Sequence, residues 1–140
     1  LPIVDDSTTS VRGVNDHGTK RSLDEAFESF DAIYEPRIVA TVNDYDVRVA
    51  KVEGDHTWHA HADPDEFFLC LAGEFTINLR DAEPVVLGPG ELFTVPRGVE
   101  HFPQAAPGTR ILMLEPSGTP STGDQGEVDH LTTTAGVVLE

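Results

Sequence analysis

The rhythm of apolar and polar positions changes once along this chain, near Pro36. Before it, SLDEAFESFDAIYEP sets Leu23, Phe27, Phe30 and Tyr34 at helical spacing. Ser22 and Glu25 make a capping-box pattern at the front of that stripe, and Pro36 predicts its stop. From Arg37 the period is two. RIVATVN and YDVRVAKVE read as strands joined by a tight turn at Asn43-Asp44, and EFFLCLA and EFTINLR flank Gly73. Short runs follow at PVVL, ELFTV, EHFPQAA and TRILMLE, separated by LGPG, PRG and APG. Turn signals at this density, with no helical stripe after residue 36, predict an all-β sandwich or barrel with one short N-terminal helix.

Three segments follow from this pattern. Residues 1–21 are polar and without period and are expected to form a mobile N-terminal arm; residues 22–116 carry the leading helix and the barrel. Residues 117–140, rich in Ser, Thr and Gly, are expected to form a tail laid over the barrel or over a partner subunit. At 140 residues, 39% apolar and 24% charged, the chain suits a single folded domain.

Charge narrows the partners. Nine Lys and Arg stand against 25 Asp and Glu, a formal charge of −16, which repels phosphate backbones and anionic lipid. No nucleic acid and no membrane partner is expected. A single cysteine, Cys70, rules out an internal disulfide framework and suits a reducing compartment, so a cytoplasmic location is expected.

The chemistry concentrates in GDHTWHAHADPDEFFLCLAG, residues 54–73, which holds three of the six histidines. His59 and His61 are two apart and on a strand project to one face. The turn-rich HADPD segment then allows Glu66 to face them across a strand pair. Two imidazoles and a carboxylate make a mixed nitrogen and oxygen site for a divalent first-row metal, and one cysteine cannot build a thiolate zinc site. The leading candidate for a fourth ligand is His101, which follows the turn signals of Gly90, Pro96 and Gly98.

These residues carry a resemblance. Gly54, His59-x-His61, Glu66 and Gly73 resemble the first motif of the cupin superfamily, and Gly90, Pro96-x-Gly98 and His101 resemble the second. The chain is similar over residues 38–115 to small single-domain cupins, including those likened to mannose-6-phosphate isomerase. It departs in the spacing from Gly54 to His59, and in having Ala105 where the family usually carries asparagine. The resemblance implies a double-stranded β-helix, or jelly-roll, barrel. It also implies one divalent transition metal (iron, manganese, nickel, zinc, cobalt or copper) held by His59, His61, Glu66 and His101, and a homodimer sharing edge strands. Thiol dioxygenases of the superfamily typically lack the motif glutamate, so Glu66 argues against that branch.

Around this set the expectations are looser. Glu66 is also a candidate base. His56 has an imidazole suited to acid–base work at the mouth, but its odd spacing from His59 predicts that it faces away, at the surface. Trp58 alternates away as well and reads as packing. Phe68 and Cys70 share the parity of Glu66 and are expected behind the metal, Cys70 as a small buried hydrophobe; Phe75, Ile77, Phe93 and Phe102 are further candidates for apolar lining or plain core. Lys51, Arg80, Arg97 and Arg110 are the cations nearest the motifs, too few for a phosphate clamp, which disfavours sugar phosphates. The function expected is a metal-dependent enzyme acting on a small organic molecule, as an oxygenase or by redox-neutral isomerase, dehydratase or cyclase chemistry. The alternative is a barrel that binds or senses a small ligand without turnover.

Overall fold

A computed structural model describes residues 20–131 and 134–140. The arm expected over residues 1–21 lies, up to residue 19, outside the described residues.

Helix α1 (Leu23–Glu28) begins as its sequence dictates: the Ser22 hydroxyl accepts from Glu25 N at 3.2 Å, with Asp24 and Glu25 in the first turn. It ends earlier than the apolar stripe predicts. Ser29 turns its hydroxyl onto Ala26 O at 2.7 Å, and Lys51 Nζ donates to Phe30 O at 2.6 Å, so the carbonyls that would continue the helix are taken by side chains. The chain then runs irregularly to Tyr34, which adopts φ +57° and pairs its N–H with Lys51 O. Phe27 and Phe30 pack on Val39 and Val49 outside the barrel, whereas Tyr34 joins the core within it.

Eight strands follow among the described residues: β1 (Arg37–Val42), β2 (Tyr45–Asp55), β3 (Glu66–Ala72), β4 (Phe75–Leu79), β5 (Val85–Leu87), β6 (Leu92–Val95), β7 (His101–Pro116) and β8 (Val137–Val138). The Asn43-Asp44 turn closes β1 on β2, with Val42 opposite Tyr45 and Asn43 at φ +55°. Strand β7 organises the rest. It pairs with β2 along most of its length, with β4 over His101–Ala105 and with β3 over Arg110–Leu114. The sequence reads residues 101–116 as two strands broken at APG; they form one. Ala106-Pro107-Gly108 is a bulge, where the β2 register jumps from Val52–Thr109 to Gly54–Ala105.

Inward positions of β2, β3, β4 and β7 supply Ala50, Val52, Phe68, Cys70, Phe75, Ile77, Ile111 and Met113 to one apolar core. Burying a Phe or Leu-sized side chain contributes about 1.5–3 kcal/mol, so this cluster is the principal source of stability. Gly73, at φ +83°, turns β3 into β4 where a Cβ would lie 2.6 Å from Thr109 Cα, so no larger residue fits. After β7 the chain crosses back over the barrel through a 3-10 turn at Gly123–Gln125, and β8 adds to β1 in parallel.

Candidate metal centre

The HxH segment is not part of a long strand. It is an extended stretch between β2 and β3, pinned to the start of β7 by a two-way backbone bridge: His59 N to His101 O at 3.0 Å and His101 N to His59 O at 2.9 Å. The loop that follows is tied to the PRG turn by Gly98 N to His61 O at 2.8 Å and Arg97 N to Asp65 Oδ1 at 2.9 Å. These few bonds bring together side chains far apart in sequence.

His59, His61, Glu66 and His101 converge, with one ligand atom from each within 4.8 Å of all the others. Glu66 Oε1 is the hub, at 2.8 Å from His101 Nε2, 3.1 Å from His61 Nε2 and 3.9 Å from His59 Nε2. All four residues are buried, His101 to 1% exposure. Two rings are oriented from behind: His59 Nδ1 lies 2.8 Å from Thr57 O and His101 Nδ1 3.0 Å from Val99 O. A carbonyl only accepts, so both Nδ1 atoms carry hydrogen, and at His59 this leaves the Nε2 lone pair facing the centre. His61 Nε2, close to Glu66 but off the hydrogen-bond direction, has no hydrogen-bond partner among the described residues. A buried, orphaned ring nitrogen beside a carboxylate and two oriented imidazoles is a donor set that fits a divalent transition metal.

Electrostatics agree. Burial pushes His59 down to about 4, with the neighbouring His101 adding repulsion, so its ring is neutral at pH 7. Burial opposes charge on Glu66 as well, but the hydrogen bond with His101, with His61 and Glu115 close by, outweighs it and holds the carboxyl well below its usual range. His101 is shifted upward: burial works against it, and its hydrogen bond to Glu66 wins. With His101 Nδ1 already donating to Val99 O, the 2.8 Å contact between His101 Nε2 and Glu66 Oε1 holds one proton between the two groups, and this is the proton a cation has to displace.

Behind the centre lies a cavity with about 40 Å³ open to the centres of water molecules, room for about three waters. His56, His59, Glu66, Arg48 and Glu115 give it polar walls; Tyr34, Phe68, Phe75, Ile111 and Met113 are among its apolar ones. On the other side, His61 borders an outer groove of about 330 Å³ between residues 60–64 and 119–124.

Several sequence expectations need correction here. His56 does not face away: it is 6% exposed, lines the cavity and packs 5.0 Å from the His59 ring. The reason is a bulge. Asp55 pairs with Gln104 and His59 with His101, so the HxH side has one residue more than β7, and an odd spacing returns to the same face. Cys70 is fully buried in the core but is not among the cavity walls, its thiol turned toward Ala72 O at 3.5 Å. Phe93 is half-buried opposite Phe68, on a strand that among the described residues pairs with β3 alone, and is not among the cavity walls. Trp58 stacks on Phe102 under Arg80. None of Lys51, Arg80, Arg97 and Arg110 lines the cavity.

Sequence reasoning passed over Arg48, Glu115 and Tyr34. The first two share strand parity with Ala50 and Val52 and with Ile111 and Met113, which is the signal that marks them as inward. Arg48 pairs with Asp46 at 3.0 Å, both nearly fully buried. Burial, reinforced by the charge of Glu66, raises the Glu115 carboxyl far above its ordinary range.

A small all-β barrel with three imidazoles and one carboxylate meeting inside it defines a cupin. Residues 45–115, just over half of the chain, match the Cupin_2 family (Cupin domain), and the chain belongs to it. A cupin-2 domain containing protein from Shewanella frigidimarina is 38% identical, covering 69% of this chain and 93% of that one, with a TM-score of 0.66. YdbB of Bacillus subtilis, described as uncharacterized, is 40% identical over 63 residues, 45% of this chain. The chain spans 56% of the length of that relative. The hydroquinone 1,2-dioxygenase of Sphingomonas sp. TTNP3, solved with 4-hydroxybenzoate, is 19% identical over 82% of this chain and 36% of its own, with a TM-score of 0.65. That likeness shows the fold alone. No helix among the described residues is long and apolar enough to cross a membrane.

Proposed function

We propose that this cupin is a mononuclear metal enzyme that converts a small, largely apolar organic molecule carrying oxygen donors. The observation that carries the reading is the convergence of three imidazoles and one carboxylate within 4.8 Å, buried at the wall of an internal cavity. His59, His61, Glu66 and His101 would hold the ion. Bound there, a divalent transition metal supplies Lewis acidity toward a substrate oxygen, or dioxygen activation if it is iron.

The chain's own groups do the rest. Phe68, Phe75, Ile111 and Met113 exclude water and limit substrate size. His56 is pushed down to about 3, by burial first and then by His59, too low to store a proton at pH 7. Its neutral ring suits accepting a hydrogen bond from a substrate hydroxyl. Arg48, the cation on the cavity wall, is already matched by Asp46, which supports an uncharged or weakly acidic substrate over a phosphate ester. A homodimer belongs to the same proposal, since Val86 on β5 and Leu92 on β6 are exposed apolar residues on short strands.

The test is turnover of metal-reconstituted protein against a panel of small phenols, enols and hydroxy acids, with and without oxygen. Product formation lost in His59→Ala supports the proposal, and oxygen uptake separates an oxygenase from redox-neutral chemistry. Tight ligand binding without product would make the protein a binding or sensor barrel instead.

A further inference from the structure

The stretch that carries two of the four ligands lies outside any strand ladder, so its shape depends on a few separate bonds. His59 exchanges both of its backbone bonds with His101, at 3.0 and 2.9 Å, and His61 O accepts from Gly98 N at 2.8 Å. Between the two ligands stands Ala60, which neither of these contacts touches. Asp124 takes it instead, from the 3-10 turn Gly123–Gln125. Asp124 N donates to Ala60 O at 3.0 Å, and Ala60 N donates to Asp124 Oδ1 at 3.0 Å. One residue thus fills both roles of a ladder partner, with a side-chain oxygen in place of a carbonyl. Glycine at 123 lets the turn come this close, because a Cβ there would overlap Ala60 O. Gln125 Nε2 donates to the same Oδ1 at 3.3 Å. Asp124 lies beyond residues 45–115, the part of the chain that matches the family.

We propose that Asp124 is a positioning residue of the metal centre, a clasp that fixes the backbone between His59 and His61 and with it the angle at which the two imidazoles meet the ion. The proposal rests on the metal reading above. The torsions of Ala60 set how the His59 and His61 side chains stand relative to each other. With both bonds to Asp124 made, neither torsion can turn without breaking one of them. With the Oδ1 bond gone, one backbone bond remains and Ala60 is free to twist about it. Ligands have to be held to within about 0.5 Å and 10–20° of the productive geometry, so a twist between two of them is felt at the ion.

The experiment compares Asp124→Asn, which keeps an acceptor at the same reach without the charge, with Asp124→Glu, which keeps the charge one methylene farther out, and Asp124→Ala, which keeps neither. The affinity for Co²⁺ is measured by chelator competition, together with the visible spectrum of the cobalt-loaded protein and the melting temperature without metal. The alanine and glutamate variants are expected to bind about 3–10-fold more weakly with an altered cobalt spectrum, and the asparagine variant to stay within about twofold of wild type with the wild-type spectrum. Asp124 is exposed, so all three variants should fold; if the alanine variant does not, the asparagine and glutamate pair decides. An asparagine variant as weak as the glutamate one overturns the proposal, because the effect then belongs to something other than the acceptor. So does a melting temperature that falls while cobalt affinity and spectrum hold in every variant. Normal cobalt binding by wild type, abolished in His101→Ala, shows that such a failure concerns Asp124 alone; no binding by wild type overturns both readings.

Discussion

Gly123 is where the segment crossing back from β7 touches the metal centre, and replacing it with alanine tests that contact. Its φ is +54°, and a Cβ there would lie 2.4 Å from Ala60 O and 2.9 Å from His59 Cδ2. Holding alanine in the left-handed region costs about 1–2 kcal/mol. The clash is with a backbone carbonyl, so the strap has to lift. Lifting it breaks Asp124 N to Ala60 O and Ala60 N to Asp124 Oδ1, both 3.0 Å, each worth about 0.5–1.5 kcal/mol. The sum is about 2–5 kcal/mol, a drop in melting temperature of about 6–20 °C for a chain of this size. Thermal unfolding of the metal-free variant measures it. Each 1.4 kcal/mol lost from the strap also makes its opening about tenfold more frequent, so a chelator should strip metal from Gly123→Ala correspondingly faster. A loss below about 0.5 kcal/mol with unchanged stripping would refute the seating of this strap on the HxH segment.

Other consequences follow from the same geometry. In the metal-free protein His56 and His59 titrate at about 3 and 4, below their unfolded value of about 6.5. The unfolded chain thus takes up protons that the folded one refuses, so their contribution is complete above pH 6.5 and is lost as pH falls toward 4. Urea melts should show stability falling by on the order of 1 kcal/mol per pH unit across that window; a flat profile would contradict the burial of these rings. Burial also raises the Cys70 thiol, and the residue is fully enclosed, so a thiol reagent should react at the rate of global unfolding and no faster. Asp46→Ala removes the partner of a buried guanidinium and an acceptor for Ser117 at 2.7 Å, and should cost about 3–5 kcal/mol in denaturant melts.

The side chains that meet at the centre are the ones whose spacing marks them in the sequence: His59 and His61 two apart, Glu66 past a turn, and His101 after Pro96 and Gly98. What spacing does not reveal is an extra residue in one strand of a pair. A bulge between Asp55 and His59 turns His56 inward, and a second at Ala106-Pro107-Gly108 makes one strand of what reads as two. The short helix fails for a related reason, since Lys51 and the Ser29 hydroxyl, invisible to periodicity, capture the carbonyls that the next turn needs. Arg48 and Glu115 obey the alternation of their strands, but charge on an inward position reads as outward until its partners are seen. Their partners, Asp46 and Glu66, lie on neighbouring strands or two residues away.

Elemental analysis after metal-replete reconstitution bears most directly on the centre. The four-ligand cluster predicts about one transition-metal ion per chain in wild type, and almost none in His59→Ala or His101→Ala chains that remain folded. Wild-type protein that stays far below one ion per chain, or alanine variants that retain it, would contradict the account.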